Sequence, residues 1–278
     1  MCANNGESQQ KKHVFPLDTL YFCVFLYNFA VKYPTKMEKR VIIIGASSGI
    51  GREVALLFLK AGCRVGVAAR REDRLRELAD QYPERVEWER VDVTAADSLE
   101  RLQALVDRLG GMDIYFHASG IGSQNQGLKP DIEDSTVQTN VVGFTRMVDF
   151  AFNYFAKQGG GQIGAITSIA STRGLGPAPS YSATKAFQTH YLEALTQLSC
   201  SRKLGISITD IRPGFVDTDL LAGDFNYPMK LSKEKVAKAI YCALAKKKPV
   251  LTIDWRYRLL VFFWRLVPPP IWRRIKLA

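Results

Sequence analysis

The stretch Val41-Ile-Ile-Ile-Gly45-Ala-Ser-Ser-Gly49-Ile-Gly51 joins an apolar run to a glycine-rich turn. A helical pattern begins at Gly49 and continues to Ala61. Because glycine lacks a Cβ atom, three glycines at this spacing allow a tight turn on which a pyrophosphate can rest, against the positive end of the helix. An ordinary strand-to-helix turn would use the same residues, but the flanking strand and helix favour a phosphate site. The residues assigned to this contact are Gly45, Ser47, Ser48, Gly49, Ile50 and Gly51.

Apolar runs and helical patterns alternate outward from this turn, between Arg40 and Ile253. Such alternation is typical of βα units that build one parallel sheet with helices on both faces. The predicted strands span 41–44, 64–68, 86–90, 113–116, 162–167, 206–211 and 250–253. The predicted helices span 49–61, 75–82, 98–109, 135–157, 181–203 and 233–245. We therefore predict a doubly wound, three-layer α/β domain of the Rossmann type over residues 37–253, a size suited to one domain.

The amino-terminal residues 1–36 lie outside this alternation. Their apolar stretch, Leu20 to Val31, contains Asn28 and is shorter than the about twenty residues that span a bilayer. It also lacks an obvious small-residue cleavage site. We interpret Met37 as the natural start and residues 1–36 as a mis-assigned or accessory extension, which mass spectrometry of the native amino terminus would test.

The carboxyl-terminal segment, residues 254–278, also lies outside the alternation. Residues 246–278 carry +8 of the formal net charge of +11. Three tryptophans and an apolar run flanked by arginines favour a membrane interface, although the run between Arg258 and Arg265 is too short to span. Packing of the segment on the sheet or on a second subunit is the alternative. If it binds membrane, deletion after Ile253 should abolish sedimentation with anionic vesicles and leave the nucleotide site intact.

Charge, cysteine and histidine patterns argue against several classes of protein. The rest of the chain is nearly neutral and contains no helix-turn-helix, zinc-finger or RNA-binding motif, so nucleic acid binding is not expected. The five cysteines are scattered without a C-x-x-C pair, as in reduced, cytoplasmic proteins. The three histidines lack the spacing of zinc ligands, so no metal is expected.

The end of the second predicted strand, Val67-Ala-Ala-Arg70-Arg71, bears on the choice of nucleotide. An acid here would hold the ribose 2′-hydroxyl of NAD, whereas an arginine can pair with the 2′-phosphate of NADP. Arg70, or else Arg71, is therefore assigned to NADP, although both would also suit a solvated helix start. Asp92 and Val93, after the third strand, are assigned to the adenine, and Asp92 would serve equally well as a helix cap.

Ser168, Tyr181 and Lys185 supply the chemistry. Tyr181 and Lys185, four positions apart on a helix, share one face, so the ammonium should lower the pKa of the phenol. A carbonyl that accepts hydride becomes an alkoxide, to which Tyr181 can donate a proton while Ser168 binds the same oxygen. The pattern indicates hydride transfer between a nicotinamide and a carbonyl or secondary alcohol.

Together these residues resemble the short-chain dehydrogenase/reductase family over about Arg40 to Ile253, including a serine thirteen positions before the tyrosine. The resemblance implies that Asn140 holds a water linking Lys185 to solvent, and that Lys185 and Tyr181 lie against the nicotinamide and its ribose. It also implies a homodimer or homotetramer built on the two helices that carry Asn140 and Tyr181. It assigns to the cofactor Ala118, Gly120, Pro213, Gly214, Val216 and Thr218.

One segment departs from the family pattern. His117-Ala-Ser-Gly120 stands where the family has Asn-Asn-Ala-Gly, so two amides that brace neighbouring backbone are missing. His117 could bond the backbone instead or lie in the core without a special role. We do not assign it to catalysis.

The segment from Asp217 to Leu231 has the length of the family's substrate lid, but it names no substrate. Its apolar side chains would suit a hydrophobic substrate or simple helix packing equally well. These side chains are Leu220, Leu221, Phe225 and Tyr227.

The predicted function is that of a cytoplasmic, NADPH-dependent carbonyl reductase of lipid metabolism, with peripheral membrane contact through residues 255–278. A 3-oxoacyl or 3-ketosphinganine type ketone would be its substrate. A non-catalytic NADP sensor or scaffold is the alternative, disfavoured because the serine, tyrosine and lysine are all present. A nucleotide-sugar epimerase or dehydratase is disfavoured by the short sequence after Pro213.

Overall fold

Seven parallel strands form one sheet in the described part of the chain, residues 39–219 and 229–276 of the computed structural model. The strands are β1 (Arg40–Ile44), β2 (Arg64–Ala69), β3 (Val86–Arg90), β4 (Ile114–His117), β5 (Gly161–Ile166), β6 (Ile206–Arg212) and β7 (Val250–Thr252). Their order is β3-β2-β1-β4-β5-β6-β7, so strand addition reverses direction between β1 and β4. In α/β sheets the ligand crevice lies at that reversal, outside the carboxyl ends of the strands. The predicted doubly wound sheet is confirmed.

Helices connect the strands. They are α1 (Gly49–Lys60), α2 (Glu72–Gln81), α3 (Ser98–Leu109), α4 (Pro130–Val137), α5 (Phe144–Gln158), α6 (Pro179–Ser201), α7 (Lys233–Ala245), α8 (Trp255–Leu266) and α9 (Pro269–Trp272). A π-helix, Gln138–Gly143, joins α4 to α5, and a 3-10 turn, Ile169–Thr172, follows β5. Every helix within the described ranges is too short or too polar to cross a bilayer. The predicted extension 1–36 and the predicted lid side chains Leu220, Leu221, Phe225 and Tyr227 lie outside those ranges.

Each face of the sheet has its own apolar core, which gives the predicted three layers. One core contains Phe58 of α1, Ile240 of α7 and Tyr257 of α8. The other contains Leu105 of α3 and Phe152 of α5. The strands at the centre are buried on both faces, which explains why their sequences are continuous apolar runs rather than alternating ones.

The largest departure from the predicted elements is the helix expected over 135–157. It begins earlier, at Pro130, because proline is well suited to the first turn of a helix, where its missing N–H costs nothing. It is then interrupted by the π-helix, whose Gly143 lies so close to Val93 that a Cβ atom there would be 2.6 Å from Val93 Cγ2. The helix period alone did not indicate this interruption.

Candidate active site

The glycine-rich turn lies at the carboxyl end of β1, next to the segment that leaves β4. Gly45 has a φ of +89°, and a Cβ atom there would lie 2.7 Å from the Ser119 nitrogen. A Cβ atom on Gly51 would lie 2.3 Å from the Gly45 carbonyl oxygen. Glycine is therefore required at both positions, because other backbone segments approach too closely to leave room for a Cβ atom. Ser48, with extended backbone, precedes the first turn of α1, whose free N–H groups can receive a phosphate.

Of the two arginines after β2, it is Arg71 that reaches the glycine-rich turn. Its Nε donates to Ser47 Oγ at 3.3 Å, and its Nη2 donates to Ser48 Oγ. Its Nη1 also lies 3.4 Å from a carboxylate oxygen of Asp219. Arg70 is exposed, and its charge acts on Asp92. The sequence favoured Arg70 for the NADP phosphate, with Arg71 as the second choice. The contacts of Arg71 favour the second choice, and the phosphate contact itself stays a prediction.

Asp92 and Val93 make contacts that would hold their segment in place with or without an adenine. Asp92 Oδ1 accepts from the backbone nitrogen of Thr94 at 3.0 Å and from its hydroxyl at 2.7 Å. Burial works to raise the pKa of Asp92, but these two bonds and the nearby arginines outweigh it and lower the pKa. Val93 is buried against Gly143. The turn-capping role is thus visible, and the adenine contact stays a prediction.

Ser168 and Tyr181 meet at the carboxyl edge of the sheet. Ser168 follows β5, and its hydroxyl lies close enough to that of Tyr181 on α6 to act on the pKa of the phenol. The Tyr181 ring lies flat on Gly122, where a Cβ atom would be 2.3 Å from the ring. Burial raises the pKa of Tyr181, and the Ser168 hydroxyl only partly opposes this. The direction is opposite to the one expected from Lys185, and it keeps the phenol protonated, as a proton donor must be.

Lys185 is buried one turn further along α6, with its Nζ 5.8 Å from the centre of the Tyr181 ring. Burial lowers the pKa of Lys185 to about 8, and the charge of Asp210 partly offsets this. The ammonium donates to the Ile166 carbonyl at 3.0 Å and to Gln188 Oε1 at 2.9 Å. Sequence reasoning did not single out Gln188. A polar residue three positions after the lysine, on the same helix face, was the signal that could have found it.

Asn140, in the π-helix, braces the segment that leaves β4. Its side chain bonds both backbone groups of Ile121, accepting at 2.9 Å and donating at 2.7 Å. Its own carbonyl accepts from Gln188 Nε2 at 2.8 Å. A Cβ atom on Gly120 would lie 3.3 Å from Asn140 Oδ1 and 3.4 Å from Lys185 Nζ. The side chain of Gln188 thus joins Lys185 to Asn140, and the water that the family resemblance implies at Asn140 stays a prediction.

His117 belongs to the core. It is fully buried, with Nδ1 2.9 Å from the Tyr115 hydroxyl and its ring edge-on to Phe144. Burial, aided by the charge of Lys185, lowers the pKa of His117 to about 3. The ring is therefore neutral at physiological pH, which agrees with leaving it out of the catalytic residues.

The segment assigned to the nicotinamide rests on a residue that sequence reasoning missed. Pro213 and Gly214 follow β6, and a Cβ atom on Gly214 would lie 2.2 Å from the ring of Tyr257 on α8. The Tyr257 hydroxyl accepts from the Phe215 nitrogen at 3.1 Å and donates to the Met229 carbonyl at 3.1 Å. Further along the segment, Val216 pairs with Leu231, and Thr218 lies against Gly49. The segment is thereby held against the glycine-rich turn.

The carboxyl-terminal helices also hold the segment that follows Ser168. Trp264 Nε1 donates to Thr172 Oγ1 at 2.8 Å, and Trp272 Nε1 donates to the Gly174 carbonyl at 3.0 Å. Arg173 donates to the Arg265 carbonyl at 2.9 Å. Residues 254–276 thus belong to the same compact unit as the sheet. A deletion after Ile253 would remove Tyr257 from beneath Gly214, so these contacts argue against the expectation that it leaves the nucleotide site intact.

Comparisons with known proteins agree with this geometry. A model of the short chain dehydrogenase family matches residues 39–226. An uncharacterized oxidoreductase of Myxococcus xanthus is 34% identical over 202 residues, covering 70% of this chain and 79% of that protein. One from Staphylococcus epidermidis is 31% identical over 223 residues, covering 77% of this chain and 94% of that protein.

Two solved structures share the fold. ElxO with NADP bound aligns with a TM-score of 0.71 at 25% identity, covering 80% of this chain and 100% of that one. A short chain dehydrogenase from Burkholderia cenocepacia in complex with NADP aligns with a TM-score of 0.75 at 18% identity, covering 88% and 100%. The family match spans most of the chain and includes the residues quoted above from Gly45 to Thr218. The chain belongs to the short-chain dehydrogenase/reductase family and is an oxidoreductase enzyme.

Proposed function

We propose that this enzyme reduces a hydrophobic ketone with NADPH. The observation that carries the proposal is the meeting of Ser168, Tyr181 and Lys185 at the carboxyl edge of the sheet, beside the glycine-rich turn. The hydrogen-bond donors here fit a dinucleotide. The glycines let a phosphate approach the backbone of the turn closely, and the amino terminus of α1 lies at the same turn. When bound, the nicotinamide supplies a hydride to the carbonyl carbon.

The proposed roles of the protein groups follow from their chemistry. Ser168 donates a hydrogen bond to the substrate oxygen, where negative charge develops. Tyr181, protonated because burial raises its pKa, gives its proton to the same oxygen. The Lys185 ammonium lies close enough to stabilise the phenolate that remains, and its third N–H is available to the ribose hydroxyls. Ser168 and Tyr181 thus bind the oxygen from two directions and fix the carbonyl for hydride attack.

The proposed preference for NADPH depends on Arg71. Ser47, Ser48 and Arg71 form a cluster of donors beside the glycine-rich turn, on the side of β2 where the adenosine ribose lies in Rossmann folds. No acid stands at the end of β2 to hold the 2′-hydroxyl of NAD. A 2′-phosphate would take the bonds that the two serines and Asp219 now make with the guanidinium.

The proposed membrane contact rests on the outward face of α8. Trp255, Leu259, Phe262, Phe263 and Leu266 recur at helical spacing and are exposed, Phe263 to 61% and Leu266 to 64%. The opposite face, with Tyr257, Val261 and Trp264, packs on the body. We define the exposed face as the α8 strip. One apolar side of α8 packs on the protein, and the other is exposed. We expect the exposed side to insert into an apolar environment.

An anionic lipid surface is the proposed partner of the α8 strip. The five exposed basic residues around it have no acidic residue among them from 255 to 276, so a second copy of the strip would bring like charges together. Lipid headgroups attract arginine and lysine, and tryptophan favours the same depth. These basic residues are Arg258, Arg265, Arg273, Arg274 and Lys276.

The membrane proposal predicts that Phe262→Ser with Phe263→Ser lowers sedimentation with phosphatidylglycerol vesicles, since two inserted aromatic side chains are lost. Leu128→Ser is the matched control, because Leu128 is an equally exposed apolar residue elsewhere on the surface. Both variants keep Tyr257 and therefore the nucleotide site. Sedimentation that is equal for the wild type and the double variant, or unaffected by replacing phosphatidylglycerol with phosphatidylcholine, would contradict the proposal.

The proposed substrate class, a lipid-like ketone of 3-oxoacyl or 3-ketosphinganine type, follows from the same arrangement. Helix α8, which carries the α8 strip, also holds two segments that flank the proposed reaction centre. They are the segment after Ser168 and the segment after Pro213. A substrate dissolved in the membrane would thus be delivered beside the site. For assembly, we propose a homodimer or homotetramer through α5 and α6, since Phe187 and Leu198 of α6 are exposed apolar side chains.

Turnover of a ketone panel with NADPH and NADH tests the proposed function. Tyr181→Phe should reduce turnover of the best ketone by at least about 100-fold, because the proton donor is lost, while NADPH still binds. Tyr191→Phe is the control, since it removes from the same helix a hydroxyl whose hydrogen bond in the described part of the chain goes to Asp149. A wild type that binds NADPH tightly and reduces no ketone, short or long, would favour a sensor or scaffold.

A further inference from the structure

Gln188 is a fully buried glutamine on α6 that joins two of the site residues. Its Oε1 accepts from Lys185 Nζ at 2.9 Å, and its Nε2 donates to the Asn140 carbonyl at 2.8 Å. An ammonium can only donate and a carbonyl can only accept, so a single orientation of the amide satisfies both partners. The orientation of Gln188 is therefore determined by the chemistry of its neighbours.

A count of donors shows what Gln188 does for Lys185. The ammonium has three N–H groups, and the Ile166 carbonyl and Gln188 take two of them. The third is the one proposed above for the ribose hydroxyls, while the charge of the ammonium acts on Tyr181, whose ring centre is 5.8 Å away. With two fixed acceptors, the ammonium cannot rotate away from the phenol without losing a buried hydrogen bond.

The other end of Gln188 is anchored in an unusual piece of backbone. Its partner carbonyl belongs to Asn140 in the π-helix, a geometry that often occurs at functional sites. The Asn140 side chain is itself bonded to Ile121 and Thr184. The Lys185 ammonium is thus tied through Gln188 and then Asn140 to the segment that leaves β4.

We propose that Gln188 is a positioning residue that aims the Lys185 ammonium at Tyr181 and couples it to Asn140. This inference rests on the proposed reductase function for its consequence, but the positioning itself is a property of the protein without substrate. Gln188 is thus a fifth side chain of the site, beside the serine, tyrosine, lysine and asparagine. Without it, Ile166 would be the one remaining hydrogen-bond partner of Lys185 among the described residues.

The charges around Lys185 determine the sign of the expected effect. Asp210 on β6 favours the ammonium, and burial disfavours it. His117 on β4 is neutral, and Tyr181 on α6 is protonated. Gln188 contributes an oxygen that bonds the ammonium more strongly than the neutral amine, because a hydrogen bond from a charged donor is the stronger one. Its loss should therefore lower the pKa of Lys185, and a carboxylate in its place should raise it.

The test compares Gln188→Leu and Gln188→Glu with Gln162→Leu. Gln162 is also a buried glutamine that donates to a backbone carbonyl, that of Leu244, away from the site. The first readout is the titration of the Lys185 Nζ resonance in ¹⁵N-lysine-labelled protein without cofactor, identified by its loss in Lys185→Met. We expect the midpoint to fall by about one pH unit in Gln188→Leu, to rise in Gln188→Glu and to be unchanged in Gln162→Leu.

The second readout is the pH profile of kcat/KM for ketone reduction. Its basic limb reports loss of the proton from the lysine and tyrosine pair, so it should move in the same direction as the Nζ midpoint in each Gln188 variant. A purely structural role would lower activity equally at every pH and leave the midpoint where it is, which would overturn the proposal. If Gln188→Leu does not fold, Gln188→Glu alone decides. If the wild type reduces no ketone, the proposed function fails, while the Nζ titration still tests the positioning.

Discussion

Replacing Arg71 by alanine should convert a preference for NADPH into near indifference between the two nicotinamide cofactors. The guanidinium already contacts Ser47 and Ser48 at the edge of the glycine-rich turn, so a 2′-phosphate there would receive a charge-assisted, two-pronged bond. Hydrogen bonds to charged groups contribute about 1.5–3 kcal/mol. Because the Arg71 side chain is 50% exposed, solvent screening favours the lower end of that range.

At about 1.4 kcal/mol for each factor of ten, the expected loss is roughly 10-fold in NADPH affinity. The affinity for NADH should change by no more than about 2-fold, since NADH has no phosphate for the arginine to hold. The assay is the quenching or enhancement of nicotinamide fluorescence on binding, which needs no substrate. Arg70→Ala is the matched control and should leave both affinities nearly unchanged.

The refuting result is a larger loss of NADPH selectivity in Arg70→Ala than in Arg71→Ala. That outcome would mean that the bound phosphate lies on the Asp92 side of β2 rather than over the two serines. Added salt gives a second check, because the NADPH affinity of the wild type should fall with ionic strength more steeply than that of Arg71→Ala.

Two further predictions concern stability. The folded pKa of His117 is about 3 against 6.5 in an unfolded chain, so unfolding takes up a proton below pH 6.5 and stability falls from there toward pH 3. His117→Asn should reduce this loss of stability in acid. Urea unfolding midpoints at pH 7 and pH 5 would show it, with His190→Asn, at an exposed histidine, as the control. An equal change of midpoint in the wild type and both variants would contradict the prediction. Tyr257→Phe should cost about 1–2 kcal/mol, a Tm decrease of several degrees, and weaken NADPH binding. Tyr154→Phe, which loses a similar bond to the Met112 nitrogen, should be destabilised without that second effect, and unchanged NADPH binding in Tyr257→Phe would count against its supporting role.

The sheet and most of its helices could be predicted from sequence, because strands that are buried on both faces consist of apolar residues throughout. Strands such as Val41–Ile44 are apolar throughout, and the helices between them show a clear period. The boundaries of β3, α3 and α7 agree with the prediction. The π-helix could not be predicted from a local pattern. It brings Gly143 against Val93, and these residues lie far apart in the sequence.

The site could be predicted only as far as its motifs extend. The spacing of Ser168 and Tyr181 predicted that the two residues lie together, because the motif covers a short stretch of chain. Gln188 and Tyr257 were missed because each acts through partners that are distant in the chain, at Asn140 and at Gly214. Which of Arg70 and Arg71 contacts the glycine-rich turn could also not be predicted, since neighbouring residues at a strand end point in different directions.

The position of Tyr257 beneath Gly214 has a consequence for how the protein is made. The segment assigned to the nicotinamide is synthesised before the ring on which it rests, and its two ends, at Phe215 and Met229, are joined only when that hydroxyl arrives. A chain that ends early, through a premature stop or a cut near Asp254, would retain all seven strands and lose the floor of the cofactor site. We therefore expect such fragments to be inactive even where they still fold.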